Sequence, residues 1–249
     1  MQRDSVAAAE AAMKYFILGA LASGLLLYGM SLLYGLTGSL SLDQISDATL
    51  THIASSSLPL TLAVVMVIAG VLFKLGAVPF HMWVPDVYEG SATSTTLYLS
   101  AVPKLAAFAI LLRLLVSGLG GWLEIWQDII LVAAVLSIGL GNIIAIAQSN
   151  IKRMFAYSTI SHMGFLLLGF STAEELGLSA AMMYTLIYMF TTLVAFGVIL
   201  ALSRPGFECD QLDDLRGLNR RNPLLALMML VAMFSLAGIL PTAGFFAKL

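Results

Sequence analysis

Long runs of apolar residues, separated by short polar segments, dominate the pattern of the chain. Within these runs the apolar residues are continuous and do not alternate every second position, which favours helices over β-strands. A helix needs about 20 residues to cross the hydrocarbon core of a bilayer. The pattern therefore predicts an all-α, polytopic transmembrane helix bundle of about seven spans. The predicted spans are 14–35, 57–78, 96–117, 127–148, 154–171, 178–202 and 223–249.

The composition supports this prediction and excludes several other classes of protein. Of the 249 residues, 60% are hydrophobic and 10% are charged, against about 45–50% and about 25% in soluble domains. So few charged residues cannot cover the surface of a water-soluble globule. A single cysteine excludes a disulfide framework and a Cys-based metal site. The net charge of −2 gives no basis for binding nucleic acid.

Basic residues are distributed unequally between the two sets of span flanks. Eight occur in one set, whereas the other set holds only Arg113, together with acidic residues such as Asp43 and Glu174. The positive-inside rule places the first set on the cytoplasmic side, and with it the N-terminus of the chain. The eight residues are Arg3, Lys14, Lys152, Arg153, Arg204, Arg216, Arg220 and Arg221.

The other three basic residues, Lys74, Lys104 and Lys248, lie inside predicted spans. A charge at the bilayer centre costs about 2.5–3.5 kcal/mol on insertion scales, so all three are candidate functional residues. The alternative is that a lysine near a helix end extends its side chain to the headgroups. This alternative is stronger for Lys74, near the end of its apolar run, than for Lys104, which apolar residues surround on both sides.

Helix-breaking residues accompany these lysines along the chain. A helix broken inside a membrane is tolerated only where it is packed in protein or lines a watery cavity. We therefore predict that the second span is interrupted near Gly76–Pro79 and the seventh near Pro241. Polar backbone groups should then lie close to the lysines. The loose similarity of the two spans is also typical of transporter repeats.

Two histidines are further candidates for proton transfer, because a histidine side chain titrates at about pH 6.5. His162 lies inside the fifth predicted span, where a proton relay and structural hydrogen bonding are both open. His81 follows the interruption in the second span, and there a relay and a helix-capping role are equally open.

Polar residues elsewhere have simpler interpretations. Tyr184, Tyr188 and Thr191 form one stripe on the sixth predicted span, which is typical of hydrogen bonding between helices. A hydrated axis is the alternative for this stripe. Asp86 and Glu89 are expected in a solvated acidic loop.

Residues 74–90 read KLGAVPFHMWVPDVYEG, and this stretch closely resembles a signature of the antiporter-like membrane subunits of respiratory complex I. Three further stretches resemble one bacterial member of that family in particular. They are AAEAAMKYF at 8–16, QSNIKRMFAYS at 148–158 with SHMG at 161–164, and LAGILPTAGFFAK at 236–248.

The resemblance implies a fold of fourteen transmembrane helices with two inverted repeats of five. Residues 1–249 would then be a fragment of one proton-translocating domain, corresponding to helices six to twelve. By this resemblance Lys74 matches a lysine that pairs with a glutamate, Lys104 the central lysine, and Lys248 a lysine on the exit half of the channel. His162 matches a histidine between the last two.

The same resemblance implies proton translocation coupled to NADH oxidation and quinone reduction elsewhere in the complex. It implies no catalytic, metal or cofactor site in this chain, with NADH, FMN, iron–sulfur clusters and quinone in other subunits. The implied partners are other membrane-arm subunits in a hetero-oligomer of the bacterial inner membrane, and no nucleic acid.

The glutamate partner of Lys74 would precede the helices represented here, which makes a partial chain the expectation. Two alternatives are a cation/proton antiporter that does not use NADH and a purely structural spacer in the membrane arm.

Overall fold

A computed structural model describes residues 5–51, 57–204 and 207–248. Arg3, one of the eight basic residues on the predicted cytoplasmic side, lies outside these ranges. Within them the chain is helical apart from its connections and two isolated β-bridges. The α-helices are α1 (Val6–Thr37), α2 (Leu42–Thr51), α3 (Ser57–Leu75), α4 (Trp83–Gly90), α5 (Thr93–Leu111), α6 (Leu123–Ile146), α7 (Ile151–Ser171), α8 (Glu175–Leu202), α9 (Leu218–Arg221), α10 (Pro223–Ala237) and α11 (Ala243–Lys248). A π-helical segment (Leu112–Gly118) follows α5, and short 3-10 turns occupy Gly120–Trp122 and Leu212–Leu215.

Five helical segments of the described chain are long and apolar enough to cross a membrane. They coincide, wholly or in most of their length, with the first, second, third, fourth and sixth predicted spans, so the all-α membrane bundle is confirmed. The fifth predicted span is α7, which buries 14 of its 21 residues. Neighbouring helices cover most of α7, and its polar residues Thr159, Ser161 and His162 are buried in protein. The seventh predicted span is not one continuous helix but α10, of 15 residues, followed by an interruption and α11.

Both predicted interruptions are confirmed. α3 and α10 each end at a glycine in the left-handed region, Gly76 and Gly238, both with φ of 77°. Each glycine N–H donates to the carbonyl four residues earlier, at Leu72 (2.8 Å) and Phe234 (3.0 Å). The next N–H donates to the same carbonyl, which completes a helix C-cap. The chain resumes as α4 after the first interruption and as α11 after the second.

The first interruption is packed inside the bundle, where Gly76, Ala77 and Val78 are buried, whereas Ile239, Leu240 and Pro241 of the second interruption are exposed. α1 packs against α3, α5 against α8, and α6 against α7. α4 also contacts α7, while α10 and α11 both contact α8. The first backbone break and the polar faces of α5, α7 and α8 therefore lie in the protein interior, where a broken membrane helix is tolerated.

Candidate functional site

Lys104 is held at the end of the first interrupted helix. Its side chain is 1% exposed, and Nζ donates to the carbonyls of Lys74 (3.2 Å) and Leu75 (2.7 Å). Nζ also lies 4.9 Å from the centroid of the Trp83 ring, within the range of a cation–π interaction. The Trp83 indole N–H donates to the Phe73 carbonyl at 2.9 Å, which fixes the orientation of the ring.

These contacts explain how a buried ammonium is tolerated at this position. The last carbonyls of a helix have no partner within the helix and carry partial negative charge. Lys104 satisfies two of them while they replace part of its hydration. Thr96 and Ser100 precede it at intervals of four residues on α5, and both are buried. α5 thus presents a buried polar stripe that ends at Lys104.

Lys74 occupies a different environment from Lys104. Its side chain is partly exposed and lines a cleft of about 480 Å³ between α1, α3 and α5, together with Trp83 and Pro103. Among the described residues its ammonium has no acidic partner within ion-pair distance. The structure therefore joins Lys74 to Lys104 through the backbone carbonyl of Lys74, and the two ammonium groups are not bonded to each other.

Lys248 and His162 lie together beyond the second interrupted helix. Both line a small cavity of about 10 Å³, roughly the volume that one water molecule requires. Lys248 Nζ donates to the Leu236 carbonyl at 2.8 Å and lies 4.8 Å from the centroid of the Phe165 ring. His162 is buried, and its Nδ1 is hydrogen-bonded to Tyr184 Oη at 2.6 Å.

The polar stripe on α8 makes the interhelical hydrogen bonds that its spacing predicts. Tyr188 Oη donates to Thr159 Oγ1 on α7 at 2.7 Å. Thr191 Oγ1 lies 3.2 Å from Ser235 Oγ on α10. Both Tyr188 and Thr191 also line the cavity shared by His162 and Lys248. The interhelical hydrogen bonds of the stripe are therefore confirmed, and the hydrated axis stays a prediction.

His81 lies between α3 and α4, and its Nδ1 is buried without a hydrogen-bond partner among the described residues. It makes no hydrogen bond to any of the three lysines. The structure thus assembles four of the five candidate residues into two sites. Lys74 and Lys104 meet at the end of α3, and His162 and Lys248 meet near the end of α10.

Sequence reasoning missed a network of ion pairs on α4. Asp86 and Glu89 are not in a solvated loop, as expected, but in this helix. Asp86 accepts from Lys14 (2.6 Å) and Arg153 (2.9 Å), and Arg153 also donates to Glu89 (2.7 Å). Partial burial acts to raise the pKa of Asp86, but the hydrogen bonds from Lys14 and Arg153 outweigh it and lower that pKa. The sequence signal for this network was that Asp86 and Glu89 lie on the same predicted side of the membrane as the basic residues Lys14 and Arg153.

Lys152 is a further buried cation that the sequence assigned to a solvated flank. It is 1% exposed and pairs with Glu208 at 2.6 Å. It also donates to the Ser91 carbonyl at 3.1 Å. This contact fastens the connection between α8 and α10 to the start of α5.

Comparisons with known proteins agree with this architecture. A family described as "NADH:quinone oxidoreductase/Mrp antiporter, TM" matches residues 1–249. The chain belongs to this family. That description names both an NADH:quinone oxidoreductase and an Mrp antiporter, so membership alone does not decide between the two.

Individual relatives show which members of the family the chain resembles in sequence and in structure. The chain is 59% identical over 249 residues to NADH-quinone oxidoreductase subunit N of Thiobacillus denitrificans, covering 100% of this chain and 51% of that protein. Respiratory complex I from Thermus thermophilus with bound aureothin contains a chain with 39% identity and a TM-score of 0.79, covering 96% of this chain and 50% of that one. The Mrp complex from Dietzia sp. contains one with 28% identity and a TM-score of 0.88, covering 98% and 44%. The chain thus spans about half the length of its curated relatives.

Proposed function

We propose that the full-length protein is subunit N of a bacterial NADH–quinone oxidoreductase and that it translocates protons across the membrane. The observation that carries the proposal is Lys104, a fully buried ammonium held by two helix-end carbonyls in the middle of a membrane span. Maintaining a charge at that depth is costly, so a functional role is the default expectation. The identity of 59% to a protein of that name supports the choice of complex.

In the proposed mechanism, residues 1–249 contribute part of one antiporter-like domain. Protons pass along a chain formed by Lys74, Lys104, His162 and Lys248, with His81 as an additional group beside the first interruption. Burial weakens the hold of a lysine on its proton, and nearby carbonyl or carboxylate oxygens strengthen it. A change in the distance to those oxygens would then release a proton to the next group.

The proposal also sets the location and the partners of the protein. The subunit would lie in the bacterial inner membrane, with the start of this chain and Lys152 on the cytoplasmic side, as the basic residues indicate. Its partners would be the other membrane-arm subunits and the lipid bilayer. NADH, FMN, iron–sulfur clusters and quinone would bind to other subunits of the complex.

Two other functions are consistent with the fold. The similarity to a chain of the Mrp complex, with a TM-score of 0.88, supports a cation/proton antiporter that does not use NADH. The higher identity to the complex I chain, 39% against 28%, favours the oxidoreductase. A structural spacer would not need Lys104, since an apolar residue would fill its position at lower cost.

Substitutions of Lys104 in the full-length subunit test the proposal within the assembled complex. Lys104→Ala removes the ammonium and leaves the span able to insert. Lys104→Arg retains a charge that cannot be released, because guanidinium does not deprotonate in proteins. Both variants should lose most proton uptake and most quinone-linked NADH oxidation in reconstituted vesicles.

Arg113→Ala is the matched control, because Arg113 is an exposed basic residue in the segment that follows α5. It should retain wild-type rates. Normal proton uptake by Lys104→Ala would support a spacer and refute the proposal. Normal uptake by Lys104→Arg alone would mean that position 104 supplies only a fixed charge. Sodium-dependent proton exchange without NADH would instead favour the antiporter.

A further inference from the structure

The connection between α8 and α10 forms a cavity that is lined in part by arginine side chains. The cavity has a volume of about 560 Å³, and Arg204, Arg216 and Arg221 contribute to its lining. We call this cavity the arginine pocket. Its volume lies in the range of small-molecule sites, about 300–1,000 Å³. The arginine pocket shares no lining residue with the cavities at the two lysine sites.

Hydrogen bonds within the connection hold the pocket in shape. Arg204 and Phe207 exchange backbone hydrogen bonds of 2.8 Å and 2.9 Å, which close a turn after α8. Arg221 Nη2 donates to the carbonyls of Asp214 (2.6 Å) and Arg216 (3.0 Å). The fold itself therefore fixes the backbone at Arg204 and the side chain of Arg221.

The lining of the pocket has an excess of positive charge. Asp213 and Asp214 also line it, so three positive and two negative charges meet there. Arg216 pairs with Asp213 at 3.0 Å. Arg204 makes no ion pair or side-chain hydrogen bond with any described residue, and Arg221 uses only its Nη2. The guanidinium groups of Arg204 and Arg221 thus have donors left for an anion.

The position of the pocket along the chain matches the level of lipid headgroups on the predicted cytoplasmic side. Two of its lining residues, Leu202 and Asn222, are the last residue of α8 and the residue before α10. α8 is long and apolar enough to cross a membrane. Anionic lipids make the cytoplasmic leaflet negative, and basic pockets beside membrane helices bind their headgroups.

An exposed apolar face of α10 begins two residues after Asn222. Leu224, Leu227, Met228 and Val231 are 40–68% exposed, and their spacing places them on one side of the helix. Phe207, which lines the pocket, is also half exposed. An anion with acyl chains can therefore place its charge in the pocket and its chains against α10. A water-soluble anion would use the pocket alone.

We propose that the arginine pocket binds the phosphate group of an anionic phospholipid of the cytoplasmic leaflet. Arginine is suited to this role, because the planar guanidinium presents paired N–H donors to phosphate oxygens. Arg204 and Arg221 contact the phosphate, and the acyl chains lie along the exposed face of α10. This lipid site does not depend on the ion that the complex transports or on its source of energy.

The test uses phosphatidylglycerol with a photoreactive group on its headgroup. It is added to the purified, assembled complex after the complex has been stripped of lipid with detergent. After illumination, peptide mapping by mass spectrometry locates the cross-links, which we expect within residues 202–222. Unlabelled phosphatidylglycerol should compete with the probe, whereas phosphatidylcholine and inorganic phosphate should not.

Arg204→Gln and Arg221→Gln, singly and together, remove the proposed phosphate contacts. Hydrogen bonds between charged groups are among the strongest in proteins, so labelling of residues 202–222 should fall at least about tenfold in the double variant. Arg204→Gln alone should leave the fold intact, because its side chain bonds to no described residue, and it should still lower the labelling several-fold. Arg220→Gln is the matched control, since Arg220 is exposed beside Arg221 on α9 but does not line the pocket. It should retain wild-type labelling.

Four outcomes of the labelling experiment would overturn the proposal. The first is wild-type labelling in the double variant, and the second is an equal loss in Arg220→Gln, which would indicate attraction to a positive surface in general. Competition by phosphatidylcholine would indicate adsorption without recognition of charge. Competition by inorganic phosphate would indicate a soluble anion in place of a lipid.

A density map of the wild-type complex gives a second readout. A lipid phosphate should lie within hydrogen-bonding distance of Arg204 and Arg221. A carboxylate of another part of the chain or of a neighbouring subunit in that place would overturn the lipid site. Lys104→Ala should retain wild-type labelling, because Lys104 lies outside the pocket. Failure of lipid binding and failure of the proposed function are therefore separate results.

Discussion

The two interrupted helices end in the same backbone geometry, and a lysine ammonium is bound at each end. Lys104 Nζ donates to the carbonyl of Lys74 at 3.2 Å, and Lys248 Nζ donates to that of Leu236 at 2.8 Å. Each acceptor lies two residues before the left-handed glycine. In both places an aromatic ring lies under the ammonium, at 4.9 Å and 4.8 Å from its centroid.

The two lysines nevertheless reach these positions differently. Lys104 comes from a neighbouring continuous helix, is fully buried, and has a second acceptor in the Leu75 carbonyl. Lys248 comes from α11, the continuation of its own interrupted helix, and is only partly buried. It also borders the cavity that it shares with His162. The Lys104 ammonium is thus enclosed by protein, although Lys74 beside it lines an open cleft, whereas Lys248 has room to adjust.

Substitution of the capping glycines should reveal this difference most strongly. In Gly76→Ala the new Cβ would lie 2.5 Å from Val84 Cγ2 and 3.3 Å from Lys104 Nζ. The left-handed conformation costs an alanine about 1–2 kcal/mol, and the overpacking adds about 1–3 kcal/mol because the valine side chain is stiff. We expect a clear fall in the thermal unfolding midpoint of the complex and loss of proton uptake.

Gly238→Ala is the counterpart at the second site. Its Cβ would meet Lys248 Cδ at 3.0 Å, and a flexible lysine stem can move aside. Only the conformational cost of about 1–2 kcal/mol should remain. Gly197→Ala, inside α8 and with no atom of the described residues within 4 Å of the new Cβ, is the control and should not destabilise the protein. Equal losses at positions 76 and 238 would contradict the distinction between a closed and an open site.

The aromatic rings should give the next largest difference. Trp83→Phe shortens the ring beneath Lys104 and removes the indole hydrogen bond to the Phe73 carbonyl. A desolvated cation–π contact contributes about 2 kcal/mol and an exposed one about 0.5–1 kcal/mol. We therefore expect proton uptake to fall about tenfold in Trp83→Phe and only a few-fold in Phe165→Leu.

Vesicle assays at matched subunit content measure this comparison. Phe108→Leu is a suitable control, because Phe108 is a buried aromatic residue whose ring contacts Phe170 and, in the described part of the chain, lies under no lysine ammonium. Its rate should stay near that of the wild type. A greater loss in Phe165→Leu than in Trp83→Phe would reverse the proposed order of the two sites.

The sequence predicts the interruptions well and the partners of the lysines poorly. Glycine and proline act on the local backbone, so Gly76 and Gly238 could be recognised from their neighbours alone. The contact of Lys104 with the end of α3 joins residues about thirty positions apart. No periodicity encodes that contact, because it depends on how α5 packs against α3.

The same limit explains why α7 is less apolar than the other predicted spans and why the loop expected for Asp86 and Glu89 was wrong. A hydropathy profile recognises spans whose side chains face lipid. Because protein covers most of α7, its residues are less apolar than those of a lipid-facing span. Because Asp86 and Glu89 follow a break in the second predicted span, we expected them in a loop. They lie instead in the helix α4, and Lys14 and Arg153 neutralise their carboxylates. The formation of this helix therefore depends on charged residues that are distant from it along the chain.

Removal of these ion pairs should have a smaller effect, and this effect should differ between the two lysine sites. α4, which carries Trp83, is tied to α1 and α7 through Asp86. Among the described residues α11 makes no ion pair. Asp86→Asn should therefore loosen only the Lys104 site and lower the stability of the complex by about 1 kcal/mol, since Asp86 is one-third exposed and water screens part of its charge.

Partial burial acts to raise the pKa of Asp86, but the stronger hydrogen bonds from Lys14 and Arg153 lower it. This lowered pKa sets the pH dependence of the effect. A carboxylate whose pKa is lower in the folded state stabilises the fold above its unfolded pKa of about 3.9. That contribution disappears as the pH falls through the folded-state value. The unfolding midpoints of wild type and Asp86→Asn should thus differ most at neutral pH and converge in acid. Thermal unfolding of the purified complex from pH 7 down to about pH 2.5 measures the trend, because the loss begins only below about pH 4. Asp213→Asn, in an exposed pair with Arg216, is the control. A difference that grows as the pH falls would mean that Asp86 does not stabilise α4 through its charge.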